Sequence, residues 1–88
     1  MDSQPQSGVK TRLALLSELP GGARGAVHRL AGGHSFVDRL VTLGFTVGAE
    51  ITVVQNYGTG PVIAMVRDVR IALGRGESAK VWVEVAGP

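Results

Sequence analysis

No cysteine occurs in these 88 residues, so neither a disulfide nor a thiolate metal site is open to the chain. Aromatic residues make up only 5% of it against 44% hydrophobic residues overall, so a core has to be built from Val, Leu, Ile and Ala. No apolar run approaches the roughly 20 residues of a membrane-spanning helix, and the opening MDSQPQSGVKTR lacks the apolar segment of a signal peptide. Like charges never run together. Nine Lys and Arg against seven Asp and Glu leave a formal charge of +2, and Arg24, Arg29, Arg39, Arg67, Arg70, Arg75 and Lys80 are dispersed. The counterion-releasing footprint of a nucleic-acid binder is therefore missing. Together these absences predict one small cytoplasmic domain.

What is present is organised around SFVDRLVTLGFTVGAE, residues 35–50. Ser35 is placed to cap a helix, accepting from the Asp38 amide, while the Asp38 carboxylate reaches back and suits the positive helix end. Gly44 is the expected left-handed stop, with Leu43 as C-cap and Phe45 packing back on Leu40. Thr46-Val47-Gly48-Ala49 then reads as a turn with Gly48 at the position of positive φ. At about 100° per residue, Phe36, Leu40 and Leu43 form the core-facing stripe, and Val37 and Val41 widen the apolar arc to roughly 160°. Two readings of that surplus are open: flanking loops cover the two valines, or the valines rim a partner-binding surface beside Arg39.

Around the helix the pattern is of short strands. Arg24–Leu30 carries oddly spaced apolar residues, which predicts a bulge near His28. Ile51–Gln55, Val62–Arg67 and Ile71–Leu73 follow, and Lys80–Val85 ends the series with Val81, Val83 and Val85 on one face and Trp82 on the other. Trp82 either covers the outer surface against the N-terminal leucines or stands free as an anchor for a partner. The expectation is a mainly β domain over residues 13–86, a closed five-stranded barrel with one short inserted α-helix, preceded by a disordered arm over 1–12.

Recognisable catalytic chemistry is absent. Gly58-Thr59-Gly60 leads into a strand, not a helix N-terminus, so it is no phosphate loop. His34, Ser35 and Asp38 have the residue types of a hydrolytic triad but are neighbours around one helix end. His28, His34 and Glu77 match no metal-ligand spacing, and no carboxylate pair has acid–base spacing. The expectation is a protein that is not an enzyme, with no cofactor and no metal.

The order and spacing of several short motifs resemble the FeoA family, small SH3-like accessory proteins of bacterial ferrous iron uptake. They run from Leu16-Ser17-Glu18-Leu19 and the Gly22/Gly25 approach to Val27, through Arg39-Leu40-x-x-Leu43-Gly44 and the Gly48 turn into Ile51-Thr52-Val53-Val54. Gly60-Pro61-Val62-Ile63 and the closing Ile71-Ala72-Leu73-Gly74-Arg75-Gly76-Glu77-Ser78, with Val81 and Val83, complete them. Asp38-Arg39 stands where the family commonly has two basic residues, Val47 where it often has proline, and Ser78 where alanine is usual. The resemblance implies an SH3-like barrel and a cytoplasmic adaptor of FeoB, the membrane ferrous iron transporter with a cytosolic GTPase domain, peripheral to the membrane through that partner alone. It brings no catalytic or metal-binding residues. Val37, Arg39, Val41 and Trp82 are the partner-binding candidates, while Ser35, Asp38, Leu40, Leu43, Gly44, Phe45 and Gly48 are structural. The same fold forms the C-terminal domain of iron-dependent repressors, so the alternative is a regulatory or nucleic-acid-binding SH3-like module. An 88-residue chain leaves no room for a repressor's other domains, which favours the adaptor.

Overall fold

Alternation of apolar and polar residues sets most of the architecture. A computed structural model describes residues 10–87. In chain order it has β1 (Lys10–Leu15), a 3-10 turn (Leu16–Glu18), β2 (Arg24–Leu30), α1 (His34–Leu43), β3 (Glu50–Gln55), β4 (Val62–Val66), β5 (Val69–Leu73), α2 (Arg75–Ser78) and β6 (Val81–Gly87). All pairings are antiparallel, and the sheet order is β1-β6-β2-β3-β4-β5. Every second residue turns inward. Val62, Ala64 and Val66 of β4, Ile71 and Leu73 of β5, and Val81, Val83 and Val85 of β6 are buried with Val27, Ile51 and Val53. Leu16, Leu19, Leu40 and Phe45 complete this core. Full burial of each such side chain contributes about 1.5–3 kcal/mol, so a core almost without aromatic rings is sufficient.

The mainly β barrel with an inserted helix is as expected, and the bulge near His28 is present as a register shift between Val27 and Arg29. The sheet has six strands, not five. The additional strand is β1, which includes Lys10, Thr11 and Arg12 of the expected arm and pairs with β6 from Lys10↔Gly87 to Leu15↔Trp82. Its sequence hides it, because only Ala14 faces the core while Leu13, 48% exposed, stands on the outer face opposite Glu84. The rest of the expected arm, 1–9, lies outside the described residues. A second irregularity, between Val53 and Gln55, and the four-residue α2 also have no sequence signal.

The barrel does not close through backbone pairing. Among the described residues β1 pairs with β6 alone and β5 with β4 alone. Side chains bridge one end of the seam instead. Arg75, just after β5, donates to the Ser17 carbonyl in the turn after β1 at 2.9 Å. It also donates to Asn56 Oδ1 at 3.1 Å and to the Gly60 carbonyl at 3.0 Å. The Asn56 amide in turn donates to the Ser17 and Leu19 carbonyls at 3.0 and 2.8 Å. Three chain segments meet at this polar knot, where a planar guanidinium and an amide supply donors in fixed directions.

Candidate functional site

Helix α1 begins one residue before the expected cap. Gly33 is the N-cap in an extended conformation, its carbonyl accepting from the Val37 amide at 3.0 Å, and no side chain caps the helix. Ser35 and Asp38 are thus exposed residues inside the helix, which corrects the expected capping pair. The reason is local: an extended Gly33 lets His34 take helical geometry, so Ser35 no longer occupies the non-helical cap position that its hydroxyl would need.

The other end follows the glycine. Gly44 has φ +110, the Phe45 amide donates to the Leu40 carbonyl at 2.9 Å, and the Gly44 amide donates to the Val41 carbonyl at 3.0 Å. This is the paired bonding of a Schellman ending with Leu43 as C-cap. A Cβ on Gly44 would stand 2.7 Å from Val66 Cγ1, so the helix end also needs a residue without a side chain for space. Leu40 and Phe45 are both fully buried. The following turn has Gly48 at φ +92, with the Ala49 amide donating to the Thr46 carbonyl at 2.9 Å.

The docked face of α1 is narrower than the sequence suggests. Leu40 is its only buried residue, Phe36 and Val37 are half-buried, and Leu43 is 39% exposed rather than docked. Leu43 swings out because the chain leaves the helix here and Phe45 fills the core position beside Leu40. Phe36 packs against the core, and the other ties are electrostatic. Arg39 pairs with Glu77 of α2, whose other carboxylate oxygen accepts from the Gly74 amide at 3.1 Å. Lys80 Nζ stands 5.3 Å from the centroid of the Phe36 ring. Such exposed pairs orient a helix more than they stabilise it, at roughly 0–1 kcal/mol each.

Val41 and Leu43 are therefore left uncovered on α1, with Val47, 72% exposed, in the turn that follows. Arg39 lies one helical turn before Leu43. The four expected partner-binding residues are not one surface by position. Val37, Arg39 and Val41 share α1, whereas Trp82 is half-buried on β6, opposite Leu15 of β1 and Arg29 of β2. Leu43 and Val47 escape sequence reasoning because helical periodicity assigns Leu43 to the core and Val47 carries only a turn signal. The roles of Asn56, Arg75 and Glu77 have no signal beyond the family-like closing motif.

An open groove on the outer face runs beside the turn, with Val47, Arg24, Glu50, Arg67, Asp68 and Glu84 on its walls. Charges of both signs meet there, so it is no basic cleft. Among the described residues no group of three His, Cys, Asp or Glu side chains is placed to hold a metal ion. No described helix is long and apolar enough to cross a membrane.

A single antiparallel sheet wrapped around an aliphatic core, with two short helices beside it, is the small SH3-like barrel. The FeoA domain model matches residues 14–85, and the chain belongs to the FeoA family. It is 37% identical over 60 residues to a Methanocaldococcus jannaschii protein provisionally named Fe(2+) transport protein A, covering 68% of this chain and 72% of that one. The crystal structure of an iron uptake regulatory protein (FeoA) superposes with a TM-score of 0.79 at 37% identity, over 84% of this chain and 100% of that chain. A zinc-complexed FeoA of Stenotrophomonas maltophilia, described as an SH3 domain protein and put forward as a ferrous iron transport activating factor, gives 0.69 at 33% identity, over 77% and 86%. A manganese-dependent transcriptional repressor reaches 0.77 at 16% identity, over 89% of this chain and 44% of the repressor, a likeness of fold alone.

Proposed function

We propose that this chain is a non-enzymatic accessory protein of ferrous iron uptake that works in the cytoplasm by binding the cytosolic part of a FeoB-type transporter. The observation that carries the reading is the family match across 14–85, which takes in most of the barrel. Relatives named for Fe(2+) transport or its activation support it. Within this reading the contacts come from exposed residues of α1 and the turn after it, Arg39 and Val41 from the sequence-derived set, joined by Leu43 and Val47. Exposed apolar side chains near a charged one have the make-up of a protein interface, where the apolar groups supply burial and the charge sets orientation. Val37, already half-buried, and Trp82, on another element, stand outside it. The mixed charge of the outer groove disfavours nucleic acid, which needs convergent basic side chains.

Co-elution with the cytosolic domain of the transporter tests the proposal. Val41→Asp with Leu43→Asp is expected to leave the melt close to wild type, since both residues are exposed, and to abolish co-elution. Undiminished co-elution overturns this interface. Binding to RNA or DNA that falls steeply with salt would instead favour the nucleic-acid reading.

A further inference from the structure

We propose that β5 is a self-association edge, pairing antiparallel with the β5 of a second copy of this chain about a two-fold axis through Ile71. The open seam leaves β5 bonded on one side only among the described residues. A free strand edge is a template for another strand unless proline, a bulge or a covering element blunts it. Val69-Arg70-Ile71-Ala72-Leu73 contains neither proline nor glycine, and its register with β4 is unbroken from Val66↔Val69 to Val62↔Leu73.

The hairpin determines which backbone groups face outward. Arg67 and Asp68, at φ 52 and 66, form the two-residue turn of mirror-image type that joins tight hairpins. The pair flanking such a turn, Val66 and Val69, exchanges hydrogen bonds, and bonded and non-bonded pairs alternate from there. Val69, Ile71 and Leu73 therefore bond to β4, while Arg70 and Ala72 aim their amides and carbonyls at the open side. Neither makes a backbone bond outside the ladder among the described residues.

Three centres of symmetry are available, and two fail. An axis through Arg70 sets the two guanidiniums directly opposite each other, and like charges in that position repel. An axis through Ala72 needs the Gly74 amide, which already donates to Glu77 Oε1 at 3.1 Å. Centred on Ile71, Arg70 of each copy faces Ala72 of the other and both exchange their backbone bonds. Val69, 56% exposed, then lies at the end of the pairing, across from position 73 of the second copy, whose leucine is already buried in its own core. The same patch serves both copies, as a two-fold interface requires.

The charge argument gives the test a sign. Ala72 is exposed and its neighbour on β4 is Ile63, so a charge there leaves the monomer's own sheet unopposed. Ala72→Glu sets a carboxylate against Arg70 at both ends of the interface, and Ala72→Lys sets an ammonium there. Sedimentation is run between about 10 µM and about 1 mM, the range suited to a small interface. Self-association is expected to be strongest for Ala72→Glu, intermediate for wild type and weakest for Ala72→Lys, with steps of about three- to tenfold. In the wild-type chain the Arg70 and Ala72 amides are expected to exchange more slowly as concentration rises. A wild type that stays monomeric at about 1 mM, with both amides exchanging alike at every concentration, overturns the proposal, as does the reverse ranking.

Discussion

At the scale of single residues, Arg75 ties together segments that no backbone ladder joins. Its guanidinium reaches Ser17, Asn56 and Gly60 at once, three acceptors on two segments far from it in sequence. A lysine has one ammonium on a flexible stem and no fixed fork, so it cannot repeat this. Arg75→Lys is expected to cost about 1–3 kcal/mol in a denaturant melt, because the part-buried Ser17 and Asn56 oxygens lose a charge-assisted donor. A loss below about 0.5 kcal/mol, typical of surface changes, would show the knot to be dispensable. None of this is legible in the sequence. Asn56 and Arg75 are 19 positions apart, in stretches that look like breaks between strands. Gly44 is the opposite case, legible because a left-handed helix stop depends on its immediate neighbours. What the sequence does not disclose at Gly44 is Val66, whose side chain arrives from another strand and forbids a Cβ independently of φ.

Among the elements, α1 is held by one deep anchor. Leu40 is fully buried, and Phe45 beyond the helix end fills the core next to it. Leu40→Ala is expected to cost about 2–5 kcal/mol, the range for emptying a leucine-sized core site. Equilibrium unfolding checks it, and a near-wild-type midpoint would mean that the helix docks through its charged contacts instead. Strands β4 and β6 are legible because each keeps strict alternation, as Val62, Ala64 and Val66 do. Strand β1 is not, since Arg12 and Leu13 break the pattern on an edge with little to bury. The start of α1 departs from its sequence signal for a different reason: Ser35 has the right chemistry for a cap, but Gly33 reaches the required conformation first. The apolar arc is indeed too wide for docking alone, and the structure moves the surplus from Val37 towards Leu43.

For the barrel as a whole, the described residues bring no three His, Cys, Asp or Glu side chains together. Calorimetric titration with ferrous or zinc ion is therefore expected to show no stoichiometric site in the micromolar range. Micromolar binding lost in His28→Ala or His34→Ala would make the protein a carrier or sensor. The class of fold is legible in the number and brevity of the strands, whereas closure is not, because whether first and last neighbours meet depends on twist accumulated over the entire sheet.

The pairing of β1 with β6 has one more consequence. Lys10 lies directly across from Gly87, so the chain enters and leaves the domain at neighbouring points on one sheet edge, about 5 Å apart between Cα atoms. A host polypeptide could take the barrel into a surface loop without stretching, because the gap it must bridge is no wider than a hairpin. A unit with such an entrance and exit is a ready insert, transferable between architectures whose other parts have nothing in common.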